Sequence, residues 1–234
     1  MENYFGFKKK FGFGCMRLPL VNGDVDLPQF TQMVDYFISH GFTYFDTAHG
    51  YLDGKSEEAI KIALTSRYPR DKYSLTDKLT QPYFNKEEDI RPFFMSQLEI
   101  CGVDYFDFYL MHAQNHNNFE HFKKCRAYET AFKLKEEGYI KHVGISFHDS
   151  SEVLDEILTT YPQLEVVQIQ YNYLDYDSDK IVIAISQANK EVGGKDKISR
   201  ESIDFITKYI EGLEKPTMTV EDIQDIVERK LMEF

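Results

Sequence analysis

Over its first three quarters, this chain alternates short runs of β-forming residues with longer stretches whose apolar residues recur at helical spacing. The short runs predict strands over residues 11–18, 42–46, 73–76, 105–112, 142–147 and 166–171. The longer stretches predict helices over residues 27–40, 56–66, 90–101, 119–137 and 151–160. Strands that alternate regularly with helices build a parallel sheet covered by helices. The sequence therefore predicts an α/β fold.

Composition narrows the class of protein and its partners. With 42% hydrophobic and 28% charged residues, the chain has the make-up of a soluble globular protein. Its formal net charge of -12 argues against nucleic acid or a membrane surface as a partner, because both require clustered positive charge. No apolar stretch approaches the roughly 20 residues of a membrane span, and none follows the lysine run at residues 8–10 as a signal peptide requires. We expect a cytoplasmic protein.

The character of the chain changes after Tyr176. Only Phe205, Tyr209 and Phe234 of the 35 Phe and Tyr residues lie beyond it. The β/α alternation stops there, and three helical patterns follow over residues 180–192, 199–213 and 219–232. Such a break in composition predicts a domain boundary, with one domain over residues 1–176 and an all-helical segment over residues 177–234.

Four polar residues lie at or just beyond the ends of predicted strands. Asp46, Lys78 and His112 close three successive strands, and Tyr51 follows Asp46 in a loop. In a β/α barrel the carboxyl ends of all strands face one mouth, so these four side chains would converge there. Taken singly, each has an ordinary structural explanation as a capping, ion-paired or packing residue. As a set they predict an active site.

Several segments carry a resemblance to a known family. They are residues 12–19 (Gly-Phe-Gly-Cys-Met-Arg-Leu-Pro), 45–51 (Phe-Asp-Thr-Ala-His-Gly-Tyr), 55–58 (Lys-Ser-Glu-Glu), 104–112 (Asp-Tyr-Phe-Asp-Phe-Tyr-Leu-Met-His), 144–146 (Gly-Ile-Ser) and 167–172 (Val-Gln-Ile-Gln-Tyr-Asn). In this order they resemble the motifs of the aldo-keto reductases. The resemblance implies a TIM-barrel-like (β/α)₈ fold that is truncated here after about six strands.

The resemblance also implies catalytic roles. Tyr51 would protonate the carbonyl oxygen of an aldehyde or ketone while a hydride reaches its carbon. A free tyrosine is a sluggish acid at neutral pH, but an ammonium about 4 Å away favours the phenolate by up to ~4 kcal/mol at an effective dielectric of 20. Lys78 would supply that ammonium and Asp46 would hold it charged and oriented. His112 would donate to or orient the substrate carbonyl.

The implied cofactor is NADP(H). Ser146 and Gln168 resemble the residues that bind the nicotinamide carboxamide, and Asp46 also lies on the cofactor side of the site. In many family members an asparagine follows the serine, whereas Phe147 stands there in this chain. No metal site is expected, because His112, His116 and His121 lack the compact spacing of metal ligands.

The tail resembles a second family. Residues 177–192 and 220–228 look like the first and last helices of an ATP-cone, the small nucleotide-sensing domain of ribonucleotide reductases. The opening hairpin of the cone is missing, so Lys180 is the one phosphate contact that the resemblance implies.

Three functional hypotheses follow. The first is an NADP(H)-dependent carbonyl reductase, impaired because the last two β/α units of the family pattern are absent. The second is a non-enzymatic nucleotide-sensing or assembly module centred on the tail. The third is an inactive remnant that is stable only as a homo-oligomer, because an open sheet exposes its edge strands.

Overall fold

The computed structural model describes residues 4–170 of the chain, apart from Lys8. The chain divides into two compact units. One unit contains Met1–Ser146 and Gln163–Val166, and the other contains Phe147–Pro162 and Val167–Phe234. The predicted boundary near Tyr176, the three tail helices and Lys180 all lie outside the described residues.

The principal sheet confirms the predicted fold class. Eight strands are described: β1 (Gly12–Gly14), β2 (Leu20–Val21), β3 (Asp24–Val25), β4 (Tyr44–Asp46), β5 (Ser74–Leu79), β6 (Phe106–Gln114), β7 (Ile140–Phe147) and β8 (Val166–Ile169). Six of them form one sheet in the order β1-β4-β5-β6-β7-β8. The β1–β4, β4–β5 and β5–β6 pairs are parallel. Helices separate consecutive strands from β3 to β8, as β/α units require.

Six α-helices are described: α1 (Leu27–Ser39), α2 (Lys55–Ile60), α3 (Glu87–Cys101), α4 (His116–Lys124), α5 (Ala127–Glu136) and α6 (Ser151–Thr160). Helix α2 continues as a single π-helical turn over Lys61–Thr65. The α1 helix shows why these segments fold locally. The Asp26 side chain accepts a hydrogen bond from the Gln29 amide and caps it, while Phe30, Val34 and Phe37 recur at helical spacing and are buried.

The helix predicted over residues 119–137 is wrong, because two helices occupy that region. α4 ends before Arg126, whose φ of 53° places it in the left-handed region, and α5 starts at Ala127. Phe119, Phe122 and Cys125 are buried at helical spacing, and Ala127 is the next buried residue. The step of two residues from Cys125 to Ala127 does not fit one face of a continuous helix, so the break restores the buried face.

The predicted first strand over residues 11–18 is also too long. Only β1 forms there, and a two-stranded hairpin, β2 and β3, follows it. Asn22 and Gly23 make its turn with φ angles of 52° and 85°. An Asn-Gly pair between β-type residues is the strongest short-range hairpin signal, so the sequence did contain this feature.

Strand β7 approaches its neighbours closely at Gly144. A Cβ atom at this position would lie 2.3 Å from the Val166 carbonyl oxygen and 2.9 Å from a Leu110 methyl carbon. Only a glycine fits this contact.

Among the described residues, none of the helices is both long enough and apolar enough to cross a lipid bilayer.

Candidate active site

The ammonium of Lys78 lies at the centre of the candidate site. Its side chain is fully buried in β5, and Nζ donates to Asp46 Oδ1 at 2.6 Å and to the Thr47 carbonyl oxygen at 2.8 Å. A third hydrogen bond reaches the Tyr51 hydroxyl oxygen at 3.0 Å. An ammonium has three N–H donors. Lys78 therefore has one acceptor for each of its protons.

The parallel sheet explains why these groups meet. The pairing of β4 with β5 ends at Asp46 and Thr76, and the Thr47 amide closes it by donating to the Thr76 carbonyl oxygen at 2.9 Å. Lys78 lies two residues beyond this pair, near the carboxyl end of β5. Tyr51 begins a 3-10 turn in the loop that follows β4. The ends of neighbouring parallel strands thus bring the side chains to one edge of the sheet.

His112 reaches the same region from β6. Its ring lies edge-on to the Tyr51 ring, with the two centroids 5.7 Å apart and the planes 79° apart. Its Nδ1 atom lies 2.8 Å from the Thr80 hydroxyl oxygen. The structure therefore brings together all four residues of the predicted catalytic set.

The neighbours of Lys78 favour its charged form although the side chain is buried. Burial by itself lowers the pKa of a lysine, but the neighbouring Asp46 carboxylate and the Tyr51 hydroxyl outweigh it, and the pKa of Lys78 is raised above its ordinary value. Removing either member of a buried ion pair leaves the other charge uncompensated. Asp46 and Lys78 thus form one unit that fixes a positive charge beside the phenol oxygen.

A buried glutamine behind the site holds the backbone of Lys78. Gln97 Nε2 donates to the Lys78 carbonyl oxygen and to Glu57 Oε1, both at 3.1 Å. Gln97 Oε1 accepts from the Tyr109 hydroxyl at 2.5 Å, and Glu57 Oε2 lies 2.7 Å from His49 Nδ1. Gln97 and Glu57 are fully buried. This network links Lys78 to α2 and α3.

Asp77 forms a second buried contact with the same backbone. Its Oδ1 accepts from the Lys78 amide at 2.7 Å, and the Cys101 thiol donates to its Oδ2 at 3.7 Å. Burial, followed by the negative charge of Glu57, raises the pKa of Asp77 well above its usual range. The protonated form of Asp77 is therefore favoured up to a higher pH than in a free aspartic acid.

A metal ion could also be considered at this cluster, because the ligand atoms of Asp77, Glu57 and Cys101 lie within 4.8 Å of one another. Neighbouring groups already occupy these atoms, because Glu57 contacts His49 and Gln97 while Asp77 accepts from the Lys78 amide and the Cys101 thiol. Sequence reasoning missed Asp77, Gln97 and Tyr109, and it gave Glu57 no role although residues 55–58 were part of the resemblance.

Two of the predicted cofactor residues, Ser146 and Gln168, lie on β7 and β8, whereas Asp46 ends β4. Ser146 is 4% exposed, and its hydroxyl makes no hydrogen bond to another residue in the described part of the chain. A nearly buried hydroxyl of this kind suits a polar ligand group. Gln168 lies in β8 and is half-buried. Phe147, the residue that replaces the family asparagine, is buried at 1% exposure.

An α/β fold whose parallel strands bring an Asp-Tyr-Lys-His set to one edge defines a class of reductase. The model of the aldo/keto reductase family matches residues 10–193, and the model of the ATP cone domain matches residues 166–234. The chain belongs to the aldo/keto reductase family. Both predicted resemblances are thereby confirmed, and the two matched regions overlap over residues 166–193.

Individual relatives agree with this assignment. The chain is 27% identical over 188 residues to an NADH-specific methylglyoxal reductase of Escherichia coli, covering 73% of this chain and 56% of the relative. It is 26% identical over 193 residues to a probable aldo-keto reductase 1 of Glycine max, covering 77% and 53%. The chain therefore spans about half the length of the curated relatives it matches.

A solved structure supports the fold. An aldo-keto reductase from Klebsiella pneumoniae in complex with NADPH superposes with a TM-score of 0.61 at 20% identity, covering 94% of this chain and 84% of that one. At this identity the similarity concerns the fold, and the chemistry rests on the residues themselves.

Proposed function

We propose that this chain reduces the carbonyl group of a small aldehyde or ketone with a dihydronicotinamide dinucleotide, NADPH. The observation that carries the proposal is the Lys78 ammonium, which contacts both the Asp46 carboxylate and the Tyr51 hydroxyl. Family membership supports the reaction class.

The chain's own residues would perform the proton transfer. A bound dihydronicotinamide would supply the hydride for the carbonyl carbon, and the electron pair of the C=O bond would move to the oxygen as negative charge. Tyr51 donates its hydroxyl proton to that oxygen. The Lys78 ammonium, 3.0 Å from the phenol oxygen, stabilises the charge left on Tyr51. Asp46 keeps Lys78 in position, and His112 orients the carbonyl.

Ser146, Gln168 and Asp46 are the residues that we propose to hold the nicotinamide. The Ser146 hydroxyl, which has no hydrogen-bond partner among residues 4–170 as described, fits an amide group, which offers both a donor and an acceptor. The related Klebsiella pneumoniae protein was solved with NADPH, whereas the Escherichia coli relative is NADH-specific. The preference of this chain for NADPH over NADH is therefore part of the proposal and is measured directly.

The decisive experiment is a fluorescence titration of the full chain with NADPH and with NADH, followed by turnover of an aromatic aldehyde. We expect NADPH to bind, and the wild-type chain to consume it only when aldehyde is present. The Tyr51→Phe variant should bind the cofactor without turnover, while Tyr36→Phe, an exposed matched control, should behave like the wild type. Absence of binding at millimolar concentrations of both nucleotides would refute the proposal. The dissociation constant also tests the predicted weakening of the cofactor site.

A second candidate function is nucleotide sensing by the tail, favoured by the ATP-cone match over residues 166–234. A ligand that binds only the folded state stabilises it by about 2.7 kcal/mol at 100 times its Kd. We therefore expect ATP or dATP to raise the melting temperature, and the Lys180→Ala variant to lose the shift. An unchanged melting temperature with both nucleotides would contradict this function.

A further inference from the structure

A threonine lies between the two central residues of the candidate site. The Thr80 hydroxyl oxygen is 2.8 Å from His112 Nδ1 and 3.3 Å from the Lys78 carbonyl oxygen. The residue is 9% exposed. A hydroxyl carries one proton and can donate it to only one of these two acceptors.

The lengths of the two contacts indicate which acceptor receives the Thr80 hydroxyl proton. The Lys78 carbonyl oxygen already accepts a hydrogen bond from Gln97 Nε2 at 3.1 Å. The contact with His112 is the shorter one, and 2.8 Å is an ordinary length for a hydroxyl donor. The 3.3 Å contact with the carbonyl oxygen is longer than an ordinary O–H···O hydrogen bond, so donation from Thr80 to His112 Nδ1 is the better use of the hydroxyl proton.

This direction determines the tautomer of the histidine. In a neutral imidazole one nitrogen carries the proton and the other accepts. When Nδ1 accepts from Thr80, the ring proton resides on Nε2, and His112 can donate a hydrogen bond through Nε2. In the opposite arrangement Nε2 would carry a lone pair, which repels a carbonyl oxygen.

We infer that Thr80 is a positioning residue that selects the Nε2–H tautomer of His112 and so makes that ring a hydrogen-bond donor to the substrate carbonyl. The inference rests on the proposed reductase function for its purpose. The tautomer itself is a property of the folded chain and can be measured without turnover.

The test is nitrogen-15 NMR of histidine-labelled full-length protein, recorded at a pH above which the ring signals no longer change. The chain has seven histidines, so a His112→Gln variant identifies the signals of His112. In the wild type we expect the pattern of a protonated Nε2 and an accepting Nδ1. In Thr80→Val, which keeps the shape and removes the donor, we expect both nitrogens to shift towards a mixture of tautomers. Thr80→Ser should restore the wild-type pattern, and the control Thr130→Val, at a half-buried position in α5, should leave it unchanged.

Turnover provides a second readout. Losing one oriented donor should lower kcat for the aldehyde about tenfold in Thr80→Val while the Kd for NADPH stays the same. A wild-type His112 with its proton on Nδ1 would overturn the inference, as would a Thr80→Val variant with unchanged ring signals. Failure of the reductase proposal would appear as absent turnover with the NMR result intact, so the two failures are distinguishable.

Discussion

The buried carboxyl group of Asp77 gives the sharpest test of the electrostatics behind the site. In the Asp77→Asn variant, the amide oxygen can still accept from the Lys78 amide, and an uncharged amide nitrogen replaces the second carboxyl oxygen. Asparagine cannot ionise. The substitution therefore mimics the protonated acid and removes its titration.

The direction and the size of the stability difference between Asp77→Asn and the wild type follow from the linkage between proton binding and folding. Burial and the charge of Glu57 raise the pKa of Asp77 in the folded state, so unfolding releases a proton at any pH between the unfolded and folded pKa values. The contribution of Asp77 to stability is then largest below about pH 4 and is lost as the pH rises towards its folded pKa, by at most about 1.4 kcal/mol per pH unit for one proton. Asp77→Asn should therefore gain stability relative to the wild type as the pH is raised from 5 to 7, by at most about 1.4 kcal/mol per pH unit.

Urea unfolding at pH 5, 6 and 7 measures this difference, provided that the slope with denaturant is the same for both proteins. Asp104→Asn, at an exposed position, is the matched control and should follow the wild type at every pH. If the curves for Asp77→Asn and the wild type run parallel with pH, Asp77 is ionised in the folded protein and the reasoning is refuted.

Three further predictions concern the fold and the site. Lys78→Met should abolish aldehyde reduction and, by leaving the Asp46 carboxylate uncompensated, should lower the unfolding free energy by about 3 kcal/mol in urea melts; full activity would contradict the assigned role. Tyr51→Phe should lose turnover but change the unfolding free energy by less than about 1.5 kcal/mol, because only one hydrogen bond is removed; a large loss of stability would show a structural role instead. Gly144→Ala should destabilise by about 3 kcal/mol or more, because its Cβ meets the Val166 carbonyl oxygen at 2.3 Å; a melting temperature equal to that of the wild type would contradict the close packing.

The alternation of strand and helix patterns was sufficient to predict the six sheet strands and their parallel order. Boundaries were less accurate where tertiary contacts decide them. The predicted strand over residues 73–76 continues to Leu79, since Asp77 and Lys78 read as polar, yet both are fully buried. The break at Arg126 is a left-handed residue without a glycine, so composition gave no indication of it.

The candidate site, like the fold, could be predicted only in part from the sequence. Asp46, Lys78 and His112 were identifiable because strand ends in a parallel sheet face one edge, and Tyr51 because of the family motif. The groups that hold them were not identifiable, since Gln97 lies 19 residues from Lys78 in sequence and reads as one polar position in an amphipathic helix. Its role arises only when α3 packs behind β5.

The three hydrogen bonds of Lys78 have one more consequence for a protein that handles aldehydes. A neutral amine attacks an aldehyde carbon and becomes an imine, and this reaction would trap both the residue and the substrate. Attack requires a free electron pair on nitrogen, but every N–H of Lys78 is directed at an acceptor and its pKa is raised. The arrangement that provides a permanent charge for Tyr51 therefore also protects the lysine from modification by the proposed substrates.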